Sequence, residues 1–268
     1  MIRRPAVAGM FYPAAEESLR SELQALTRGG SPADSAPLAL LVPHAGYVYS
    51  GRIAARTFLS GRLADRIVVL GPNHTGEGEA IAVQAEGAWR TPLGDAPIDA
   101  PLAAAVLARV PRARIDALAH RREHSIEVQV PFLQHLHAGF RFVPICVGTH
   151  DLQALLDLGR GLAEAIGEAN ERVLLVLSSD MTHYEPAEEA ERRDRIALDR
   201  ILALDPEGLL RVVRDESISM CGVAPAVAGL EAVRGLGAKS AALVAYGHSG
   251  ERTGDDSSVV AYAGVAVH

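Results

Sequence analysis

Cys146 and Cys221 are the only two thiols in 268 residues. Two cysteines cannot make a disulfide framework, and their scarcity predicts a reducing compartment, the cytoplasm. Aromatic residues make up only 4% of the chain, so the core has to be aliphatic. No apolar run approaches the roughly 18 residues of a membrane span. Pro5-Ala6-Val7-Ala8-Gly9, behind Arg3 and Arg4, is too short for the hydrophobic segment of a signal peptide. The expectation is a soluble, unprocessed protein. The net charge of −7 is spread without a basic stripe, and Arg121–Arg122 and Arg192–Arg195 read as solvated helix surface, which argues against nucleic acid as a partner. No linker, internal repeat or low-complexity tract interrupts the sequence, which predicts one domain over residues 1–268.

What is present suits a full core, with 49% hydrophobic and 22% charged residues. Ala15–Leu26 carries Leu19, Leu23 and Leu26 at helical spacing, with Glu16 and Glu17 in its first turn. Apolar runs at Leu38–Val42, Arg66–Leu70, Phe140–Val147 and Val173–Leu177 read as buried strands, with a further strand at Ile81–Gln84. Helices are expected at Ile53–Leu59, Pro101–Arg109, Ile126–Leu136, Leu152–Ile166 (capped by Thr149 or Asp151), Glu188–Leu204, Pro206–Val213 and Val223–Val233. Ala241–Tyr246 and Val259–Val267 read as closing strands. The alternation predicts an α/β domain with a central, mostly parallel β-sheet flanked by helices.

The informative residues stand just past the strands. His44 follows Leu38–Val42, His74 follows Arg66–Leu70, and Asp180 and His183 follow Val173–Leu177. In open α/β sheets ligands bind outside the carboxyl ends of the strands. A single histidine after a strand is more often a hydrogen-bonded loop residue than a ligand, but here the pattern recurs. His44 and His74 lie 30 residues apart, about one βαβ unit, so adjacent parallel strands are expected to present both imidazoles to one point, as a transition metal requires. Cys221 directly precedes the helix at Val223, where a helix N-terminus favours thiolate, although a buried, inert cysteine is the commoner case. Cys146, inside an apolar run, is that inert case. Glu123 and Glu127 read as helix-start and surface charge, while His124 and His183 are candidate proton carriers, each suited to orientation by a carboxylate. Tyr47, Tyr49 and Trp89 fit either a pocket wall or the core.

Taken together, Pro43-His44-Ala45-Gly46-Tyr47, Gly71-Pro72-Asn73-His74, Glu123-His124-Ser125-Ile126-Glu127, Ser178-Ser179-Asp180-Met181-Thr182-His183 and Cys221-Gly222 resemble the Memo family, whose bacterial and archaeal members are often called AmmeMemoRadiSam system protein B. The likeness runs over nearly the whole chain and takes in Ala8-Gly9-Met10-Phe11-Tyr12-Pro13, Arg90-Thr91-Pro92-Leu93-Gly94 and Asp256-Ser257-Ser258-Val259. It implies a fold like that of class III extradiol dioxygenases, non-haem iron enzymes that open catechol-type rings, and association with AMMECR-like and radical-SAM proteins. It also implies a metal set of His44, His74 and Cys221, with Asp180, His183 and His124 close by as catalytic groups.

Those dioxygenases hold Fe(II) with two histidines and a glutamate, so Cys221 is a departure. It keeps the single negative charge but softens the donor, which favours Cu(I), zinc or thiolate-bound iron. The implied function is an Fe(II)-dependent, dioxygenase-like redox enzyme acting on a small molecule, with copper or zinc as alternative metals. Fold likeness alone does not transfer that reaction. Two other functions stay open: metal handling or partner interaction, as the copper, iron and signalling roles of eukaryotic members imply, and a zinc-type hydrolase or thiolate-nucleophile enzyme.

Overall fold

The computed structural model describes residues Met1–His268. In chain order its elements are β1 (Ile2–Arg3), α1 (Glu16–Thr27), β2 (Ala39–Val42), α2 (Tyr47–Phe58), β3 (Arg66–Pro72), β4 (Ile81–Val83), β5 (Ala88–Thr91), β6 (Gly94–Pro97), α3 (Ala100–Arg109), β7 (Arg114–Ile115) and α4 (Leu118–Arg121). A 3-10 turn at Glu127–Gln129 leads into α5 (Val130–Leu136), followed by β8 (Arg141–Val147), α6 (Leu152–Gly167), β9 (Val173–Ser178) and β10 (His183–Glu185). The chain closes with α7 (Ala187–Leu202), α8 (Pro206–Asp215), α9 (Val223–Gly235), β11 (Ala241–His248), α10 (Gly250–Thr253) and β12 (Val259–Val267).

The centre of the main sheet is parallel, in the order β2-β9-β3-β8. Antiparallel strands flank it: β12 joins β2, β11 and β10 join β12, and β4 joins β8. Helices cover both faces, which is why the central strands read as unbroken apolar runs. Alternate side chains sort into two cores. Leu40, Val42, Ile67, Val69, Leu174 and Val176 pack with Leu19 and Leu23 of α1, Ala54 and Phe58 of α2 and Phe132 of α5. Ala39, Leu41, Val68, Leu70, Leu175 and Leu177 pack on the opposite side with α3, α6, α7 and α9. Buried apolar area of this kind is the main favourable term in folding, roughly 25 cal/mol per Å².

The order of strands corrects one expectation. β2 and β3 are not neighbours, because β9 lies between them and pairs in parallel with both. His44, Asp180 and His74 therefore leave the ends of three consecutive strands rather than two.

Helix boundaries shift in two places. α2 begins at Tyr47, six residues before the expected start, because the Tyr47 side chain is buried and its backbone N–H donates to the Phe11 carbonyl at 2.8 Å. The expected helix from Ile126 has its first turn in 3-10 form, and regular α-helix begins only at Val130, with Pro131 in its opening turn, where the missing N–H costs nothing. Of the two proposed caps for α6, the Asp151 carboxylate accepts the Ala154 N–H. A small sheet of β1, β5 and β6, absent from the sequence reading, pairs the N-terminus with the β5–β6 hairpin. No helix is long and apolar enough to cross a membrane.

Candidate metal centre

His44 stands just past β2, fully enclosed, in a fixed orientation. Its backbone N–H donates to Asp180 Oδ1 at 2.7 Å, and its Nδ1 lies 2.9 Å from Ser178 Oγ at the end of β9. The Ser178 hydroxyl gives its one proton to the Ser125 carbonyl at 2.7 Å and accepts from Gln129 Nε2 at 2.9 Å. A hydroxyl has a single donor, so toward His44 it accepts, and Nδ1 carries the imidazole proton. Nε2 is left as a lone pair, 3.2 Å from Cys221 Sγ.

His74, past β3, is oriented by a carboxylate. Glu123 Oε2 accepts its backbone N–H, and Glu123 Oε1 lies 2.9 Å from its Nδ1. Glu123 also takes the backbone N–H groups of His124 and Ser125. Burial alone raises a carboxyl's pKa, but the hydrogen bonds donated by His74 and the backbone amides bring Glu123 down to about 2. This again puts the ring proton on Nδ1 and aims Nε2 at the common point, the arrangement seen when an outer carboxylate orients a metal-binding histidine.

Cys221 completes the group at the N-terminal end of α9. A Cβ on Gly222 would lie 2.4 Å from the Ser178 carbonyl oxygen, so only glycine lets the loop approach β9 closely enough to bring Cys221 in. The backbone N–H of Asp180 points at Sγ at 3.2 Å. Burial, and then the Asp180 carboxylate, hold the Cys221 thiol well above its ordinary value. The expected lowering by the helix N-terminus is outweighed, because desolvation of the thiolate exceeds what one helix end offers.

One ligand atom from each of His44, His74 and Cys221 lies within 4.8 Å of the others, and the same holds for His74, Glu123 and His124. Metal–nitrogen and metal–sulfur bonds of about 2.0–2.3 Å place the donors of a tetrahedral site about 3.5 Å apart, so the first trio fits a transition metal with little movement. Burial and the neighbouring imidazoles hold His44 well below its ordinary pKa, and burial lowers His124 likewise. Both rings are thus neutral near pH 7, the ligating form.

The remaining site residues surround this point. His124 stacks on His74, with centroids 4.6 Å apart, and meets the edge of His44 at 5.5 Å. Asp180 is buried, its carboxyl raised by desolvation against the opposing pull of the His44 N–H and His183. His183 places Nδ1 3.0 Å from the Ser219 carbonyl, an acceptor only, so the neutral tautomer carries its proton on Nδ1 and offers Nε2 as an acceptor. His44, His74, His124, Asp180 and His183 all line one cleft of about 510 Å³. Tyr184, at its mouth, is 78% exposed with φ +62°, an uncommon conformation for a bulky residue, held where the β10–β12 register shifts.

Some sequence readings need correction. Glu123 and Glu127 are buried rather than surface charges. Glu127 pairs with Arg3 and accepts from Tyr12 Oη at 2.6 Å and from the Ala6 and Val7 amides. Arg3 in turn donates to the Glu123 carbonyl at 2.6 Å and the His120 carbonyl at 2.8 Å while covering Trp89. Trp89 and Tyr47 belong to the core, and of the three aromatics considered only Tyr49 lines the cleft. Cys146 is buried among Ala82 and Ala119, its thiol raised by desolvation. Ser178, Gln129 and Ser219 had no assigned role in the sequence reading, since nothing in a serine or glutamine at a loop signals which imidazole it will face.

Residues 3–266 match the family described as "Memo-like protein". A MEMO1 family protein of Aquifex aeolicus is 44% identical, with 98% of each chain covered. MK0963 of Methanopyrus kandleri is 42% identical over 99% of this chain and 98% of its own. The crystal structure of the uncharacterized protein JW3007 from Escherichia coli K12 shares the fold, with a TM-score of 0.55 at 17% identity, covering 85% of this chain and 99% of that one. With the family pattern matched over residues 3–266 and relatives above 40% identity over 98% of their length, this chain belongs to the Memo family.

Proposed function

We propose that this protein is a metal-dependent redox enzyme in which His44, His74 and Cys221 hold Fe(II), copper and zinc being the other ions such a donor set accepts. The observation that carries the reading is the meeting of these three donors, from three separate segments, beside a cleft of about 510 Å³. When bound, the ion supplies a redox-active Lewis acid with positions open to substrate.

The rest of the chemistry falls to the chain. Ser178 and Glu123 fix the tautomers that aim both Nε2 lone pairs inward. Phe11, Tyr49 and Tyr262 give the cleft flat apolar walls suited to a planar small molecule, and Ser249 and Thr253 give it hydroxyls. His183, whose neutral tautomer offers Nε2 as an acceptor, takes a proton from a substrate hydroxyl, while Asp180, raised by burial, and His124 exchange protons beside it.

Metal analysis of anaerobically purified protein, followed by O₂-dependent turnover on a panel of catechols, tests this. Stoichiometric iron with turnover is the expected result. Stoichiometric metal without turnover on any substrate of the panel would instead support a metal-handling protein, the second reading, which the soft Cys221 donor favours.

A further inference from the structure

We propose that a groove bearing Arg52, Arg56 and Arg252 binds the anionic group, a phosphate or carboxylate, of the ligand whose head enters the metal cleft. The proposal rests on the cleft's role argued above. The groove is a hollow of about 490 Å³ between α1, α2 and the end of β11, and Tyr49 lines both it and the cleft.

Arg52 and Arg56 stand one turn apart on α2, so their guanidinium groups share a face. Arg252 joins them from α10. Arg20, Arg109 and Arg192 each pair with a carboxylate close in sequence or space. None of the three groove arginines has an ion pair or a side-chain hydrogen bond, and three unpaired forks in one concavity match the geometry of phosphate and carboxylate oxygens.

Two carboxylates also line the groove. Glu251 Oε1 accepts the backbone N–H of His248 at 3.3 Å, and Glu22 stands on the α1 side, so three guanidinium groups face two carboxylates. The balance is positive. The cleft wall itself has no lysine or arginine, so recognition of an anionic tail falls to the groove beyond Tyr49.

The test is a titration of the metal-free, full-length chain with inorganic phosphate, followed by the arginine Nε–H resonances. Saturable shifts are expected at Arg52, Arg56 and Arg252 but not at Arg62. Arg52→Ala/Arg56→Ala should weaken binding about 10-fold or more, and Arg52→Lys/Arg56→Lys should recover part of it. Uniform, non-saturating shifts at all exposed arginines, or unchanged binding by the alanine pair, overturn the proposal. In zinc-loaded protein, 3-(3,4-dihydroxyphenyl)propionate should bind about 10-fold tighter than 4-methylcatechol, and only as tightly in the alanine pair. Equal binding of the two by the unaltered protein overturns the link between groove and cleft. If phosphate binds and neither catechol does, the reading of the cleft fails and the anion groove stands. If 4-methylcatechol binds and phosphate does not, the groove fails and the reading of the cleft stands.

Discussion

Ser178 Oγ sits 2.9 Å from His44 Nδ1 while giving its own proton to the Ser125 carbonyl, so one hydroxyl decides which nitrogen of His44 faces the Cys221 thiol. The consequence is testable. Ser178→Ala leaves the His44 and Gln129 donors unanswered in a buried place, at a cost of about 1–3 kcal/mol in stability. It should also weaken metal binding about 10- to 100-fold, as loss of an outer partner of a ligating histidine does. Chelator competition on folded variant protein measures it, and unchanged affinity would show that Ser178 does not set the tautomer.

His44→Ala, His74→Ala and Cys221→Ser should each strip most of the metal from the purified protein, whereas Cys146→Ser should keep it. Gly222→Ala belongs with the first group, because its methyl would meet the Ser178 carbonyl and Ser179 at 2.4 Å and push Cys221 out of reach. Elemental analysis distinguishes the two groups. Metal loss in Cys146→Ser with retention in Cys221→Ser would reverse the assignment.

His183→Ala should reduce any turnover roughly 100-fold or more while leaving metal stoichiometry unchanged, as the proposed role in proton transfer rather than ligation requires. Parallel loss of metal would instead make His183 a ligand.

Asp99 predicts an acid-sensitive joint far from the metal. Although buried, its carboxylate accepts from Arg66 at 2.6 and 2.9 Å, from Arg141 at 3.0 Å and from the Leu102 amide that starts α3. Burial pushes against ionisation, but these partners win and lower its pKa. A carboxyl lowered in the folded state contributes stability that is complete above the unfolded value, about 4, and fades as pH falls through the folded one. Asp99→Asn should therefore cost about 3 kcal/mol or more at pH 7. The gap from the unaltered protein should narrow below about pH 4, which denaturant melts at several pH values would read. A gap independent of pH would show that packing, not charge, is what Asp99 contributes.

Much of the architecture was legible because burial on both faces leaves its mark in sequence. β2 and β9 are almost wholly aliphatic, β3 and β8 are apolar after a first arginine, and the sequence bounds the strand at Val259–Val267 to the residue. The candidate ligands were legible for a related reason: a polar residue just after such a run has to emerge at the rim of the sheet. Glu123 and Glu127 were misread because charge at a helix start is ordinarily solvated. Nothing local announces that Arg3, more than a hundred residues away, arrives to neutralise Glu127.

The sequence alone determined the class of fold, the ends of the central strands and the short list of imidazoles and thiols, all of which follow from periodicity and position along the chain. Tertiary structure decided the rest. It inserted β9 between β2 and β3, brought Cys221 beside His44 through a glycine without room for a methyl, and chose the tautomers through Ser178 and Glu123. Those outcomes depend on hydrogen bonds between groups distant in sequence. Such bonds form only once the core has fixed the ends of its strands, so no local pattern encodes them.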